Sequence, residues 1–112
     1  MTSVSRIPDE ISALHPGLAG HFPGNPIVPG VVVLNRVCRA LVRERGGTVT
    51  AIPVVKFHSP LRPAEPFDIE LAQAGDETYR FRVVRRDTLI AAGTVQMSTA
   101  RAQLNEAELK TS

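Results

Sequence analysis

His21 opens the run His21-Phe22-Pro23-Gly24-Asn25-Pro26-Ile27-Val28-Pro29-Gly30, which leads directly into Val31-Val32-Val33-Leu34-Asn35. An imidazole takes or gives a proton near neutral pH, and the first turn of a helix leaves backbone N–H groups without intrahelical acceptors. The spacing sets a proton carrier on one side of a short segment and a helix start on the other. Four prolines and four glycines fall among the fifteen residues from Pro16 to Gly30. Such a run has few backbone donors and little torsional freedom, so it should hold one shape rather than flex as a linker.

The elements that must position this segment follow it. Val31 to Arg45 reads as the only long helix. Pro29 suits its first turn, Gly46-Gly47 supplies the stop, and late arginines suit the negative end of the helix dipole. Val31, Leu34, Val37, Cys38, Leu41 and Val42 are spaced for one apolar face, whereas Asn35, Arg36, Arg39 and Arg43 are not. Three consecutive valines form helix poorly in isolation, so this helix needs burial and is expected to be wrapped on most sides. Residues 2–7 alternate weakly as a short first strand. Thr48 to Phe57 reads as a strand in which Pro53 demands a bulge or an edge position. Phe67–Ala72, Tyr79–Val84 and Leu89–Ser98 alternate as further strands. The expected architecture is α+β, with one central helix (about residues 29–45) followed by an antiparallel meander of about four strands. Residues 1–98 form a single domain, and residues 99–112 are expected to be a polar tail with little to bury.

Length and composition narrow the function. A chain of 112 residues holds one small core, and 43% hydrophobic with 21% charged residues is ordinary for a globular protein. No segment is apolar for long enough to span a bilayer, and no signal-peptide core is present, so no membrane role and a cytoplasmic location are expected. Cys38 is the single cysteine, which excludes a disulfide framework or a cysteine-based metal site and reads as a small buried hydrophobe. The net charge of +2 hides two arginine clusters, one on the helix (36, 39, 43 and 45) and one between residues 80 and 86. These are ordinary solvated faces or an electropositive approach for an acidic partner. One Tyr, four Phe and no Trp argue against nucleic acid, which needs stacking platforms. So small a core with a helix that needs cover points to an oligomer.

The run His-Phe-Pro-Gly-x-Pro-Ile-x-Pro-Gly-Val at residues 21–31 resembles the signature of the 3-hydroxyacyl-acyl-carrier-protein dehydratases. The resemblance continues through Val55-Lys56-Phe57 and Pro60-Leu61-Arg62-Pro63, and covers roughly residues 18 to 98. It implies a hot-dog fold, in which a curved antiparallel sheet wraps one long helix, and a dimer with two active sites at its interface. The stretch before His21 is shorter than in the housekeeping enzymes. In this it is similar to relatives from gene clusters for aryl polyene pigments. The resemblance implies that His21 removes the C2 proton of a 3-hydroxyacyl thioester and that the N–H of Gly30 binds the thioester oxygen. Such donors suit an oxygen that gains negative charge as the proton leaves. Phe22, Gly24, Pro29 and Val31 belong to the same substrate-binding segment, and Gly30 is expected to let substrate approach closely. No cofactor or metal is implied, because the substrate arrives on the phosphopantetheine of acyl carrier protein.

One position departs from the family. Its acid, a Glu or Asp reaching across from the partner subunit, lies six residues after the second proline, and here that position is Asn35. A carboxamide donates a hydrogen bond but has no proton to give, and a positioned acid is worth about 10² to 10⁴ in rate. Glu44 lies nine residues further on, too far to substitute, and nothing in the sequence folds Asp9 or Glu10 back. His58, where relatives often carry Arg, reads as a strand-end surface residue, and His15 as a surface loop residue. Lys56, Arg62, Arg80 and Arg82 are candidates for carrier-protein docking beside their reading as solvated charge. Three functions remain in view: a dehydratase with impaired activity, a non-catalytic subunit that pairs with a complete paralogue, and a hot-dog thioesterase in which Asn35 orients water.

Overall fold

Apolar side chains of the strands gather on one face of a single sheet, and the long helix lies across that face. The computed structural model describes residues 4–18 and 27–98. Its elements are β1 (Val4–Asp9), α1 (Gly30–Arg45), β2 (Thr48–Phe57), β3 (Phe67–Gln73), β4 (Thr78–Arg85) and β5 (Thr88–Ser98), with one 3₁₀ turn at Pro16–Leu18. All pairings are antiparallel, in the order β1-β3-β4-β5-β2.

This order corrects the simple meander. Only β3, β4 and β5 follow one another across the sheet; β2 pairs with β5 and β1 with β3. The chain leaves β2 at one edge and re-enters at β3, three places away past β5 and β4, carried there by the proline-bearing connection 58–66. Both alternatives for Pro53 hold, since β2 is an edge strand and its register slips between Val49 and Ala51 and again between Ala51 and Val54. Gly93 is the matching device on β5. A Cβ there would lie 2.1 Å from the backbone oxygen of Val54, so no larger residue fits beneath the irregular edge strand.

The core joins Val33, Val37 and Leu41 of α1 to Ile69, Leu71, Phe81, Val83, Ile90, Val95 and Met97 of the sheet. Helix bounds agree with the sequence reading: Gly46 and Gly47, both at positive φ, end the helix, and the N–H of Gly46 donates to Val42 O. The expected apolar face does not. Val32, Val33, Val37, Ala40 and Leu41 are buried, whereas Val31 is 73% exposed and Val42 42% exposed. Leu34 and Cys38 are half-buried. The sheet of one chain covers one side of α1 only, so the helix is not wrapped on most sides.

Candidate active site

Two sequence motifs far apart in the chain meet at the start of α1. The N–H of Val28 donates to Leu61 O at 2.8 Å, tying the helix entry to the connection after β2. Pro29 occupies the N-cap with φ −60° and ψ 145°, and its carbonyl accepts from Val32 at 3.0 Å and Val33 at 3.3 Å. Gly30 and Val31 are the first helical residues, and their N–H groups lie at the positive end of the dipole with no intrahelical acceptor. That is the donor geometry a thioester oxygen requires.

The close approach at Gly30 is made by the protein itself. A Cβ on Gly30 would lie 2.6 Å from Cζ of Phe57 and 3.0 Å from Cε1 and Cε2. The ring at the end of β2 fills the space that the sequence reading reserved for substrate. Beside this contact opens a cleft of about 410 Å³ lined by Ile27, Val28, Gly30, Val33, Phe57, His58, Ser59, Pro60, Leu61 and Ile90. Its floor is apolar, and its polar side chains come from His58 and Ser59. Both of these residues are anchored through the backbone, their N–H groups donating to Ile90 O at 2.8 and 3.3 Å. Phe57, quoted in the second motif, and His58, read as a strand-end surface residue, both line this cleft, and His58 is exposed as that reading expects. Both lie in or beside Val55-Lys56-Phe57, the second motif of the resemblance.

The other expected residues are distributed as follows. His21, Phe22 and Gly24 lie outside the described residues, as does the expected tail. Asn35 is exposed and lies five residues beyond Gly30, about 140° further round the helix. It does not line the cleft at Gly30 of its own chain. Asp9 is held by Arg36 at 2.8 Å and accepts from the N–H of Glu10 at 2.7 Å, so it fastens β1 to the helix instead of replacing the missing acid. Arg36 is accordingly a structural partner rather than a solvated charge. Arg45 likewise turns inward, its guanidinium 5.6 Å from the Tyr79 ring centroid.

Three of the four docking candidates share the outer face of the sheet, and the fourth lies apart. Arg80 and Arg82 alternate with buried Tyr79, Phe81 and Val83, which places them on the outer face of the sheet. Arg82 Nη1 donates to Glu70 Oε1 at 3.0 Å, and Arg6 pairs with the other oxygen of the same carboxylate. Lys56 is exposed in β2 in the same cross-strand row, opposite Ala92, which in turn faces Arg82. Arg62 sits apart in the connection after β2, where its backbone N–H donates to Glu65 Oε1 at 2.9 Å. That bond, together with the charges of Arg85 and Arg62, holds the Glu65 carboxyl below the usual carboxylate range. Burial pushes the Cys38 thiol up. It lines a second cleft, of about 590 Å³, with Arg39, Val42, Arg43 and Val49. Among the described residues, no helix is long and apolar enough to cross a membrane.

A family model described as ApeI dehydratase matches residues 6–99. Among curated proteins, the 3-hydroxyacyl-[acyl-carrier-protein] dehydratase FabZ of Aliarcobacter butzleri is 33% identical over 75 residues, 54% of this chain and 51% of that protein. FabZ of a Caulobacter species is 27% identical over 84 residues, 63% of this chain and 52% of that protein. The chain spans about half the length of these curated relatives. Among solved structures, the dehydratase heterocomplex ApeI:P of Xenorhabdus doucetiae superposes with a TM-score of 0.73 at 21% identity, covering 87% of this chain and 93% of that one. A fluoroacetyl-CoA-specific thioesterase superposes at 0.58 and 15% identity, covering 85% and 90%. Together these likenesses establish the hot-dog fold. The solved structures, at 21% and 15% identity, do not by themselves choose between its chemistries, because folds are shared across activities.

Proposed function

The chain belongs to the ApeI-like dehydratase family, and from that premise we propose that it converts 3-hydroxyacyl thioesters of acyl carrier protein to trans-2-enoyl thioesters. The observation that carries this reading is the meeting of the two motifs at Gly30. Free N–H groups, a fixed helix entry and an apolar cleft stand together where a thioester carbonyl and its acyl group need them. In this scheme His21 takes the C2 proton and the N–H of Gly30 holds the carbonyl oxygen as negative charge develops there. Asn35 hydrogen-bonds the departing hydroxyl of a site built with another subunit, because in its own chain it faces away from the cleft. Carrier protein, an acidic partner, docks on the outer-face row of Lys56, Arg80 and Arg82, of which Arg82 is already half-committed to Glu70, and Arg62 lies apart from that row.

Assembly is part of the proposal. An exposed edge strand with Val54 at 47% and Phe57 at 51% exposure, beside the open side of α1, is a surface that a second subunit covers. That subunit is a second copy or a paralogue with a complete acid; the likeness to a dehydratase heterocomplex keeps the second arrangement in view. The decisive assay follows enoyl formation from a 3-hydroxyacyl thioester, with the assembly state measured by mass. Slow conversion that Asn35→Glu accelerates at least tenfold is expected. No enoyl product from the chain, from its Asn35→Glu variant or from a co-expressed paralogue pair would overturn the reading. Free thiol released in place of enoyl product would identify a thioesterase.

A further inference from the structure

The outer face of the sheet, opposite α1, carries one cross-strand row to which all five strands contribute. Its register partners are Arg6 on β1, Glu70 on β3, Arg82 on β4, Ala92 on β5 and Lys56 on β2. Neighbouring strands lie about 4.8 Å apart, so the three bases stand at two-strand intervals of roughly 10 Å and span about 19 Å. Glu70, between the first two bases, is buried; Arg6 pairs with one of its oxygens, and Arg82 Nη1 donates to the other at 3.0 Å. Ala92, between the second and third, is too small to separate them. Arg80, two residues along β4 from Arg82, is exposed on the same face. Asp68 lies one row off on the other side of Glu70, opposite Pro8 and Val84.

This row is spent only in part. The side chains of Arg6 and Arg82 stay 64% and 58% exposed after pairing with Glu70. A guanidinium has five N–H donors, so each keeps donors that face solvent. Glu70 also fixes both guanidiniums, which leaves less side-chain freedom to lose when a carboxylate meets them. Lys56 and Arg80 are exposed and have no ion-pair partner among the described residues. The spacing selects the shape of the partner. On a helix, residues seven apart share nearly one face and are separated by about 10.5 Å, which matches the interval from Arg6 to Arg82 and from Arg82 to Lys56. An extended chain repeats on one face at about 6.8 Å and falls out of step.

Deepening the docking of an acidic carrier, and resting on that reading, we propose that one acidic helix of the partner lies across the outer face of the sheet. Its carboxylates, at heptad spacing, meet Arg6, Arg82 and Lys56, with Arg80 beside the middle contact. Arg6 stands on the edge strand opposite that of Lys56. A partner that spans the sheet therefore needs both edges, whereas one held at β2 and β4 alone does not need Arg6.

The test measures the affinity of acyl carrier protein for the full chain by calorimetry at low salt, in the assembly that mass measurement establishes. Arg6→Gln and Lys56→Gln should each weaken binding about three- to fivefold, the upper part of the range for exposed ion pairs. The double variant should weaken it about tenfold or more. Arg86→Gln removes the same charge from an exposed position in the turn between β4 and β5 and should change binding less than 1.5-fold. On titration with carrier protein, amide NMR shifts should change along the row from β1 to β2. If Arg6→Gln unfolds the chain, Lys56→Gln, which breaks no ion pair, and the shift map carry the test. The inference is overturned if folded Arg6→Gln binds within 1.5-fold of the native chain. It is also overturned if Arg86→Gln weakens binding as much as the row variants do, or if the shift changes are confined to one edge of the sheet. Binding is read without turnover, and enoyl formation from pantetheine thioesters is read without carrier protein, so failure of this inference and failure of the dehydratase reading are told apart.

Discussion

The two sides of α1 differ more than the two ends of the molecule do. Toward the sheet, Val33, Val37 and Leu41 are fully or almost fully buried, and each chain satisfies that side alone. Away from it run Val31, Asn35, Cys38 and Val42, spaced at i, i+4, i+7 and i+11, apolar enough to want cover but left open or half-open by a single sheet. The helix therefore carries two apolar stripes with different obligations: the inner one folds the chain, and the outer one, which bears Asn35, is the one the proposed assembly would cover. The difference explains why the sequence pattern blurred both stripes into one face. It also explains why the residue at the family's acid position is solvent-facing in its own chain.

The comparison can be broken most severely from inside. Leu41→Ala should cost about 2–5 kcal/mol, the range for a buried leucine whose cavity relaxes incompletely, read as a lowered midpoint in urea with unchanged slope. A loss below about 1 kcal/mol would mean that the inner stripe is not the one that folds the chain. Gly30→Ala should be much milder, about 1 kcal/mol or less. The obstacle is the far end of the Phe57 side chain, which can swing outward, and alanine is the better helix former. Its signature should be a displaced Phe57 ring by NMR and slower enoyl formation, not unfolding. The smallest stability change should come from the outer stripe. Val31→Lys with Val42→Lys should alter chain stability by about 0.5 kcal/mol or less, as exposed sites do, while the assembly mass falls to that of one chain. Loss of folding without change in mass would move this stripe to the inside.

Much of this was legible in the residues. The strand and helix spans were readable because period two and period 3.6 are written directly in the apolar spacing, and Gly46-Gly47 marks the helix stop. Pro53 announced an edge or a bulge, and both are present. Less legible was the order of the strands. Nothing local distinguishes a meander from a crossover when the connection 58–66 is long enough to permit either.

The site divides in the same way. The sequence by itself determined that a proline- and glycine-rich entry leads into a helix start, that this entry resembles a thioester-binding signature, and that a carboxamide stands where the resemblance expects an acid. Those are properties of residue type and spacing along the chain. Only the tertiary structure decided that Phe57 fills the space above Gly30, that Asp9 is committed to Arg36 and that Asn35 faces away from the cleft. It also decided that His58 and Ser59 line that cleft beside Gly30. These contacts join residues 27 or more positions apart in chain order, or depend on which way a helix is turned. They are fixed by how the sheet and helix close on each other, a consequence of packing that no single stretch of sequence contains.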